Sequence, residues 1–204
     1  EVVASAGVMN PQIRYGEDLM SRVSYVMMHP EGAELLTDAI REAINGLFIE
    51  LSGEASSQSE DILEIALVAN PIMHHILLGI NPVNLGTAPF ALTTSEAVDT
   101  RAAEIGLTAH PEARLYCLPC IAGHVGADAA GVILAEAPDR SEAMTLVVDV
   151  GTNAEIVLAN HQRLLVCSSP TGPAFEGAQI SAGQRATIGA IERVRIDRDT
   201  LEPR

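Results

Sequence analysis

One short stretch, residues 146–158, constrains the fold of this chain most strongly. An apolar run delivers Asp149 to a Gly151-Thr152-Asn153 turn, and a second apolar run follows. Two apolar runs joined by so short a turn predict paired strands. Gly151 lacks the Cβ that would hold a phosphate oxygen away from the backbone, while Thr152 and Asn153 offer side-chain hydrogen bonds. The stretch fits a phosphate-binding turn with Asp149, at the end of a buried strand, holding a metal-bound water. An ordinary hairpin with an Asx-type turn is the alternative.

The charge balance limits the partners and the phosphate chemistry. Twelve basic residues stand against 27 acidic ones, giving a net charge of −15. Such a field repels nucleic acid and anionic membranes, so neither is an expected partner. All the basic residues are arginines, and the absence of lysine excludes a phosphate-loop lysine. Any bound phosphate must therefore be met by backbone N–H groups, arginine or a metal ion.

The cysteine content favours a reducing cytoplasm, because three cysteines are too few for a disulfide framework. Cys117 and Cys120 form a CxxC pair at the end of an apolar run. We interpret them as two buried, small apolar side chains, with a redox or metal role as the alternative.

Apolar periodicity predicts an α/β chain with a β-meander opening its second part. Pro138 to Glu142 is the boundary between the parts. The predicted strands are Glu1–Ala6, Asp61–Ala69, Arg114–Pro119, Met144–Val150, Ala154–Ala159, Arg163–Ser168 and Ile191–Ile196. The predicted helices are Tyr15–Met28, Leu35–Leu51 closed by Gly53, one that begins after Asn70-Pro71, His124–Ala137 and a segment within Gly172–Gly183.

Several side chains are open to two interpretations. His74 and His75 diverge around a helix, so we expect one buried and one exposed histidine rather than a metal site. Arg14, Arg22 and Arg185 are interpreted as surface or helix-capping residues rather than phosphate ligands. The glycines of Gly123-His124-Val125-Gly126 are expected to permit close packing, with an interdomain hinge as the alternative.

The Asp149–Asn153 turn resembles a phosphate hairpin of the acetate-kinase, sugar-kinase, heat-shock-70 and actin superfamily. More narrowly, the chain resembles the ATPase domain of the reductive activators of corrinoid proteins. The motifs that carry this resemblance run in order along the chain. They are Asn10-Pro11-Gln12, Tyr15-Gly16 with Asp18, Ser21-Arg22, Met73-His74 to Gly79, Ala88-Pro89-Phe90, Ala122 to Asp128 and Gly172 to Gly177.

The resemblance implies an actin-like ATPase fold, which is a ribonuclease-H-like α/β fold of two related halves. Residues 1–140 would form the first half without its opening hairpin, and residues 141–204 would begin the second half with its phosphate hairpin. The missing hairpin is expected before residue 1, and an adenosine-contacting segment after Arg204. The fold is thus expected to be incomplete at both ends, and residues 1–204 alone to show weak or undetectable ATPase activity.

The resemblance also implies a function. ATP hydrolysis would let an electron pass from a 2Fe-2S cluster, held in a missing N-terminal ferredoxin module, to the cobalt of a corrinoid protein. Asp149 would orient a magnesium-bound water, and Gly151, Thr152 and Asn153 would hold phosphate. Gly172, Pro173 and Glu176 would contribute to nucleotide binding. A turn with only a structural role is the alternative interpretation of these residues.

This chain departs from the family pattern at three places. Ala154 stands where glycine is usual, Gln184 where methionine is usual, and Ala69-Asn70-Pro71 replaces a Gly-Asn pair. Ala154, Gln184, the missing first hairpin and the acidic charge support a second hypothesis, in which the fold is kept as a non-catalytic protein-binding or dimerisation module.

Overall fold

The computed structural model describes residues 1–151, 153–170 and 194–203. Within these ranges no helix combines the length and apolar character needed to cross a bilayer. The order of strands and helices is mixed α/β, as the sequence predicts.

The first part of the chain places four helices around a three-stranded sheet. Strands β1 and β3 pair in parallel, and β2 pairs antiparallel with β3 at the other edge. The strands are β1 (Glu64–Leu67), β2 (Val98–Arg101) and β3 (Arg114–Cys117), and the helices are α1 (Leu19–Met28), α2 (Gly32–Glu54), α3 (Pro71–Leu77) and α4 (Ala127–Glu136). Short 3₁₀ turns occupy Pro11–Arg14, Ser59–Asp61, Val83–Leu85, Ala102–Ile105 and Pro138–Arg140.

Two helices of this part begin where a side chain caps their first turn. The Asp18 carboxylate accepts the Ser21 N–H at 2.7 Å, and the Ser21 hydroxyl accepts the Asp18 N–H in return. Asn70 accepts the Met73 N–H at 2.9 Å, with Pro71 in the first helical turn. Such caps satisfy donors that a helix leaves unpaired and thereby fix where α1 and α3 start.

The core has two main clusters on either side of α2. Phe48 packs with Leu115 and Ile65 of the sheet. Leu36, from the other end of the helix, packs with Val23 of α1 and Ile76 of α3. The long helix α2 therefore ties the sheet to the helices that border the candidate site.

The second part is an antiparallel meander of β4 (Thr145–Val150), β5 (Asn153–Asn160) and β6 (Arg163–Pro170). This confirms the three predicted strands and the tight turn after Asp149. Val157 and Ala159 of β5 are buried. On the edge strand β4, however, Val148 and Val150 are 46% and 71% exposed, so the expectation that Asp149 ends a buried strand is wrong.

The ends of the described chain differ from the prediction. Glu1–Ala6 forms no strand, and Val2 and Val3 are 84% and 78% exposed. A strand-like sequence becomes a strand only when a neighbour offers a hydrogen-bond ladder, and none of the described strands pairs with this segment. Of Ile191–Ile196, the described residues hold only an isolated bridge between Ile196 and Pro203. The segment Gly172–Gly183 lies outside the described residues.

Two further expectations are wrong. Gly53 does not close α2, because the helix continues to Glu54 and the left-handed φ of 55° falls on Ser56. Both His74 and His75 are buried, at 2% and 0% exposure. Helix α3 is covered on more than one side, which leaves neither imidazole on a solvent face.

Candidate functional site

An acidic cleft lies between the first part of the chain and the meander. It encloses about 300 Å³ and brings together the turn after β4, the N-terminal end of α1 and the start of α4. The residues that line it are Glu17, Asp18, Leu19, Arg22, Asn70, Asp128, Asp149, Gly151, Asn153 and Glu155. Five of these are carboxylates and one is a cation.

The β4–β5 turn forms one wall of the cleft. The Gly151 N–H donates to the Asn153 carbonyl oxygen at 2.8 Å, and Val150 pairs with Ala154 across the strands. This hydrogen bond closes the turn, so the Gly151 N–H serves the hairpin itself. The exposed Asp149 side chain and the half-buried Asn153 side chain face the cleft.

The cleft carboxylates disturb one another electrostatically. Burial raises the pKa of Asp128, and the charge of Asp149 raises it further. The Ala129 N–H, which donates to the Asp128 carboxylate at 2.9 Å, lowers that pKa and so opposes the shift. Burial likewise raises the pKa of Glu155, with Asp128 and Asp149 adding to the effect. The Ser168 hydroxyl donates to Glu155 at 3.0 Å and opposes that shift. Three carboxyl groups, those of Asp128, Asp149 and Glu155, therefore face one cleft.

Close backbone approaches place Asp128 at this position. A Cβ added to Gly126 would lie 2.7 Å from the Ala69 carbonyl oxygen and from the Asn70 Cα. The Asp128 N–H also donates to the Ala69 carbonyl at 3.2 Å. Gly126 thus lets the start of α4 contact the end of the β1 segment, which agrees with the expectation that glycines here permit close packing.

Arg22 is the cation of the cleft, and its surroundings contradict its interpretation as a surface residue. Its side chain is on α1 with the residue only 7% exposed. The Nε–H donates to the Gly16 carbonyl at 3.0 Å, and the two terminal nitrogens lie 3.4 Å from the Met73 sulfur and the Glu17 carbonyl oxygen. Burial lowers the pKa of Arg22, partly offset by the charge of Asp18. Arg14 is exposed as expected.

The donor set of the cleft suits a hard divalent cation. Carboxylate oxygens from Asp128, Asp149 and Glu155 and amide oxygens from Asn70 and Asn153 line the same space. Magnesium takes oxygen ligands and keeps several waters, so one or two carboxylates suffice when phosphate supplies the rest. Among the described residues, no group of three or more His, Cys, Asp or Glu side chains is arranged to chelate a metal directly.

The structure brings part of the predicted site together. Asp149, Gly151 and Asn153 line the cleft, whereas Thr152, Gly172, Pro173, Glu176 and Arg185 lie outside the described residues. Asp128, Glu155 and Arg22 are among the lining residues that the sequence did not predict for the site. Asp128 stood in a motif that was interpreted as packing, Glu155 adjoined the turn, and Arg22 was placed on the surface.

The CxxC pair lies apart from the described lining of the cleft and is buried, as expected. Cys117 and Cys120 are 1% and 3% exposed. Burial raises the pKa of Cys117 to about 11, with Cys120 adding to the shift, so this sulfur stays a thiol at neutral pH.

Comparisons with known proteins give one consistent family. The family model for the RACo middle region matches residues 1–141, and the model for the C-terminal domain of RACo, the ASKHA domain, matches residues 143–204. The corrinoid activation enzyme RamQ of Eubacterium limosum is 35% identical over 187 residues, which cover 92% of this chain and 31% of that protein. A reductase of Methanosarcina barkeri, specific for the Co(II) methylated amine-specific corrinoid protein, is 41% identical over 73 residues, or 36% of this chain and 14% of that protein.

A solved structure shares the architecture. A reductive activator for corrinoid, iron-sulfur protein superposes with a TM-score of 0.86 at 34% identity, covering all of this chain and 32% of that one. This chain therefore spans about a third of the length of RamQ and of the solved activator. The resemblance and the actin-like ATPase fold class predicted from the sequence are confirmed, and the chain belongs to the RACo family of reductive activators of corrinoid proteins.

Proposed function

We propose that the acidic cleft binds a magnesium–nucleotide complex. We further propose that ATP is hydrolysed in this cleft and that the hydrolysis drives reductive activation of a corrinoid protein. The observation that carries the proposal is the convergence of Asp149, Asp128 and Glu155 on one cleft beside the β4–β5 turn. A divalent cation stabilises carboxylates that face one cleft. The family's ASKHA domain supports a nucleotide as the companion of that cation.

We assign each residue of the site a role from its position. Asp149 is the exposed carboxylate at the end of β4, so we assign it to orient a metal-bound water. Gly151, Thr152 and Asn153 of the turn would contact phosphate, together with Gly172, Pro173 and Glu176. Because the Gly151 N–H closes the turn, its contribution is the open space left by its missing side chain. Bound magnesium would neutralise charge on the phosphates, which is most of the catalytic task in phosphoryl transfer.

The wider activity is inferred from the relatives. RamQ is named a corrinoid activation enzyme, and the solved relative a reductive activator. We propose by extension that a corrinoid protein is the partner, that a 2Fe-2S cluster in another module supplies the electron, and that the protein acts in the cytoplasm. We also propose that residues 1–140 and 141–204 belong to two related halves of one ATPase domain.

The test uses the protein made from its complete coding sequence. Calorimetric titration with Mg-ATP measures affinity, and an ATPase assay measures turnover. The Asp149→Asn variant should lose most of the affinity and turnover. Asp139→Asn serves as the matched control, because Asp139 is an exposed carboxylate outside the cleft. Unchanged affinity and turnover in Asp149→Asn would exclude the assignment.

The same experiment separates the second hypothesis. A non-catalytic protein-binding or dimerisation module predicts no ATP turnover in the wild-type protein and capture of a corrinoid protein or a second copy without nucleotide. Measurable turnover that depends on Asp149 excludes it.

A further inference from the structure

Arg22 has the surroundings of an anion-binding residue rather than of a structural ion pair. Its guanidinium is held by two main-chain carbonyl groups, from Gly16 and Glu17, and by the Met73 sulfur. These neutral partners use only part of the donor capacity of a guanidinium. They fix the orientation of the side chain, and among the described residues its charge has no ion-pair partner.

No carboxylate of the described residues forms an ion pair with Arg22. The ion pairs of this part of the chain join Arg101 with Glu104 and Glu112, and Arg114 with Asp99. The charge of Asp18 acts on the pKa of Arg22, but the Asp18 carboxylate caps α1 through the Ser21 N–H. A charge that is 93% withdrawn from water is costly unless it is paired, so this site favours an anion.

The position of Arg22 identifies the class of anion. The guanidinium lines the same cleft as Asp149 and the β4–β5 turn, among five carboxylates. A free anion would be repelled by those carboxylates, whereas a phosphate that enters with a divalent cation brings its own compensating charge. Arginine matches phosphate geometry with parallel N–H donors, and this chain has no lysine that could replace it.

We propose that Arg22 binds a phosphate group of the Mg-nucleotide, across the cleft from the metal at Asp149. This role rests on the proposed function and adds a residue from α1 to a site otherwise formed by the meander and α4. The carboxylates and the metal hold one side of the phosphate chain, and the guanidinium holds the other. The carbonyl contacts to Gly16 and Glu17 act as the support that aims the guanidinium.

The test compares ATP with adenosine, because only ATP has the group that Arg22 would contact. The complete protein, with Mg²⁺ present, is titrated as wild type, Arg22→Met and Arg22→Lys. Arg41→Met is the matched control, since Arg41 also donates to a carbonyl, that of Leu77 at 2.7 and 2.9 Å, outside the cleft lining. Hydrogen bonds to charged groups predict that Arg22→Met loses about 10- to 100-fold in ATP affinity.

The expected pattern is a loss specific to the phosphates. Arg22→Met should weaken the affinity for ATP and leave the affinity for adenosine within about twofold. Arg22→Lys keeps the charge but not the parallel N–H donors of the guanidinium, so it should lose less ATP affinity than Arg22→Met. Arg41→Met should change neither ligand. An equal loss for ATP and adenosine, or no loss in Arg22→Met or Arg22→Lys, overturns the role of Arg22. ATP binding that is lost in Asp149→Asn but kept in Arg22→Met overturns this role alone, whereas unchanged binding in both overturns the proposed function as well.

Discussion

The imidazole of His75 makes the stability of the chain depend on pH near neutrality. Its Nδ1 lies 2.8 Å from the Pro71 carbonyl oxygen, and its Nε2 lies 3.0 Å from the Thr93 backbone nitrogen. A carbonyl only accepts and an N–H only donates, so the proton is on Nδ1 and the ring is neutral. Burial lowers the pKa of His75, although the Pro71 carbonyl opposes the shift. A second proton, on Nε2, would place two donors face to face and break the hydrogen bond that the Thr93 N–H donates.

His74 contributes in the same direction. Both of its ring nitrogens are buried without a hydrogen-bond partner in the described parts of the chain, and its pKa is lowered by burial and then by His75. Each folded pKa lies below the ordinary value of 6.5, so the unfolded chain binds more protons below that pH. The free energy of unfolding is therefore fully retained above pH 6.5 and falls as the pH drops toward the folded pKa values.

The size of the loss follows from proton linkage. Each histidine can lower the free energy of unfolding by about 1.4 kcal/mol per pH unit, so the pair loses at most about 2.7 kcal/mol between pH 7.5 and 5.5. Replacing His75 by phenylalanine leaves the Thr93 N–H without its partner, which costs about 1–3 kcal/mol at pH 7.5. It also removes one of the two titrating groups, so the further loss at pH 5.5 should be halved to about 1.4 kcal/mol.

Urea denaturation at pH 7.5, 6.5 and 5.5 measures these quantities for wild type, His75→Phe and His161→Phe. His161 is exposed in the β5–β6 turn and provides the control, whose pH dependence should match wild type. Effects of the cleft carboxylates cancel when the variants are compared. A His75→Phe variant whose free energy of unfolding keeps the full pH dependence of wild type would refute the reasoning.

Three other substitutions test the packing and the cleft. Gly123→Ala should lower the free energy of unfolding by about 1–3 kcal/mol in urea, since the new Cβ would lie 2.0 Å from the Phe90 carbonyl oxygen. Gly46→Ala should raise it by about 1 kcal/mol, because this position inside α2 has open space around it. Compared with wild type in EDTA, Glu155→Gln should gain melting temperature as the pH rises above the ordinary glutamate pKa of 4.5. The raised pKa of Glu155, due to burial and then to neighbouring carboxylates including Asp149, makes its charged form unfavourable as the pH rises.

The elements that could be predicted from the sequence are those determined by local chemistry. The meander follows from alternating apolar residues and turn residues within a few positions of each other. The start of α3 follows from the Asn70 cap with Pro71. Strand β2 (Val98–Arg101) could not be predicted in this way, because four residues with little apolar character become a strand only by pairing with β3.

The residues of the candidate site also fall into those placed by local sequence and those placed by tertiary packing. Asp149 and Asn153 reach the cleft through their own turn, so a local motif places them. Asp128 arrives because Gly126 allows α4 to begin against the Ala69 carbonyl, and Arg22 arrives with α1. Both are consequences of tertiary packing that no spacing in the sequence encodes. The burial of His75 is of the same kind, because it depends on a hydrogen bond from Thr93, in the loop before β2.

The central claim is that a divalent metal and a nucleotide share the Asp149 cleft. Electron paramagnetic resonance with Mn²⁺ in place of Mg²⁺ tests it most directly, using the complete protein with ATP. We expect wild type and Asp139→Asn to bind Mn²⁺ only when ATP is present, with coupling of the manganese to phosphorus, and Asp149→Asn to lose that signal. Manganese coupled to ATP phosphorus equally well in Asp149→Asn, or absent from the wild-type protein, would contradict the claim.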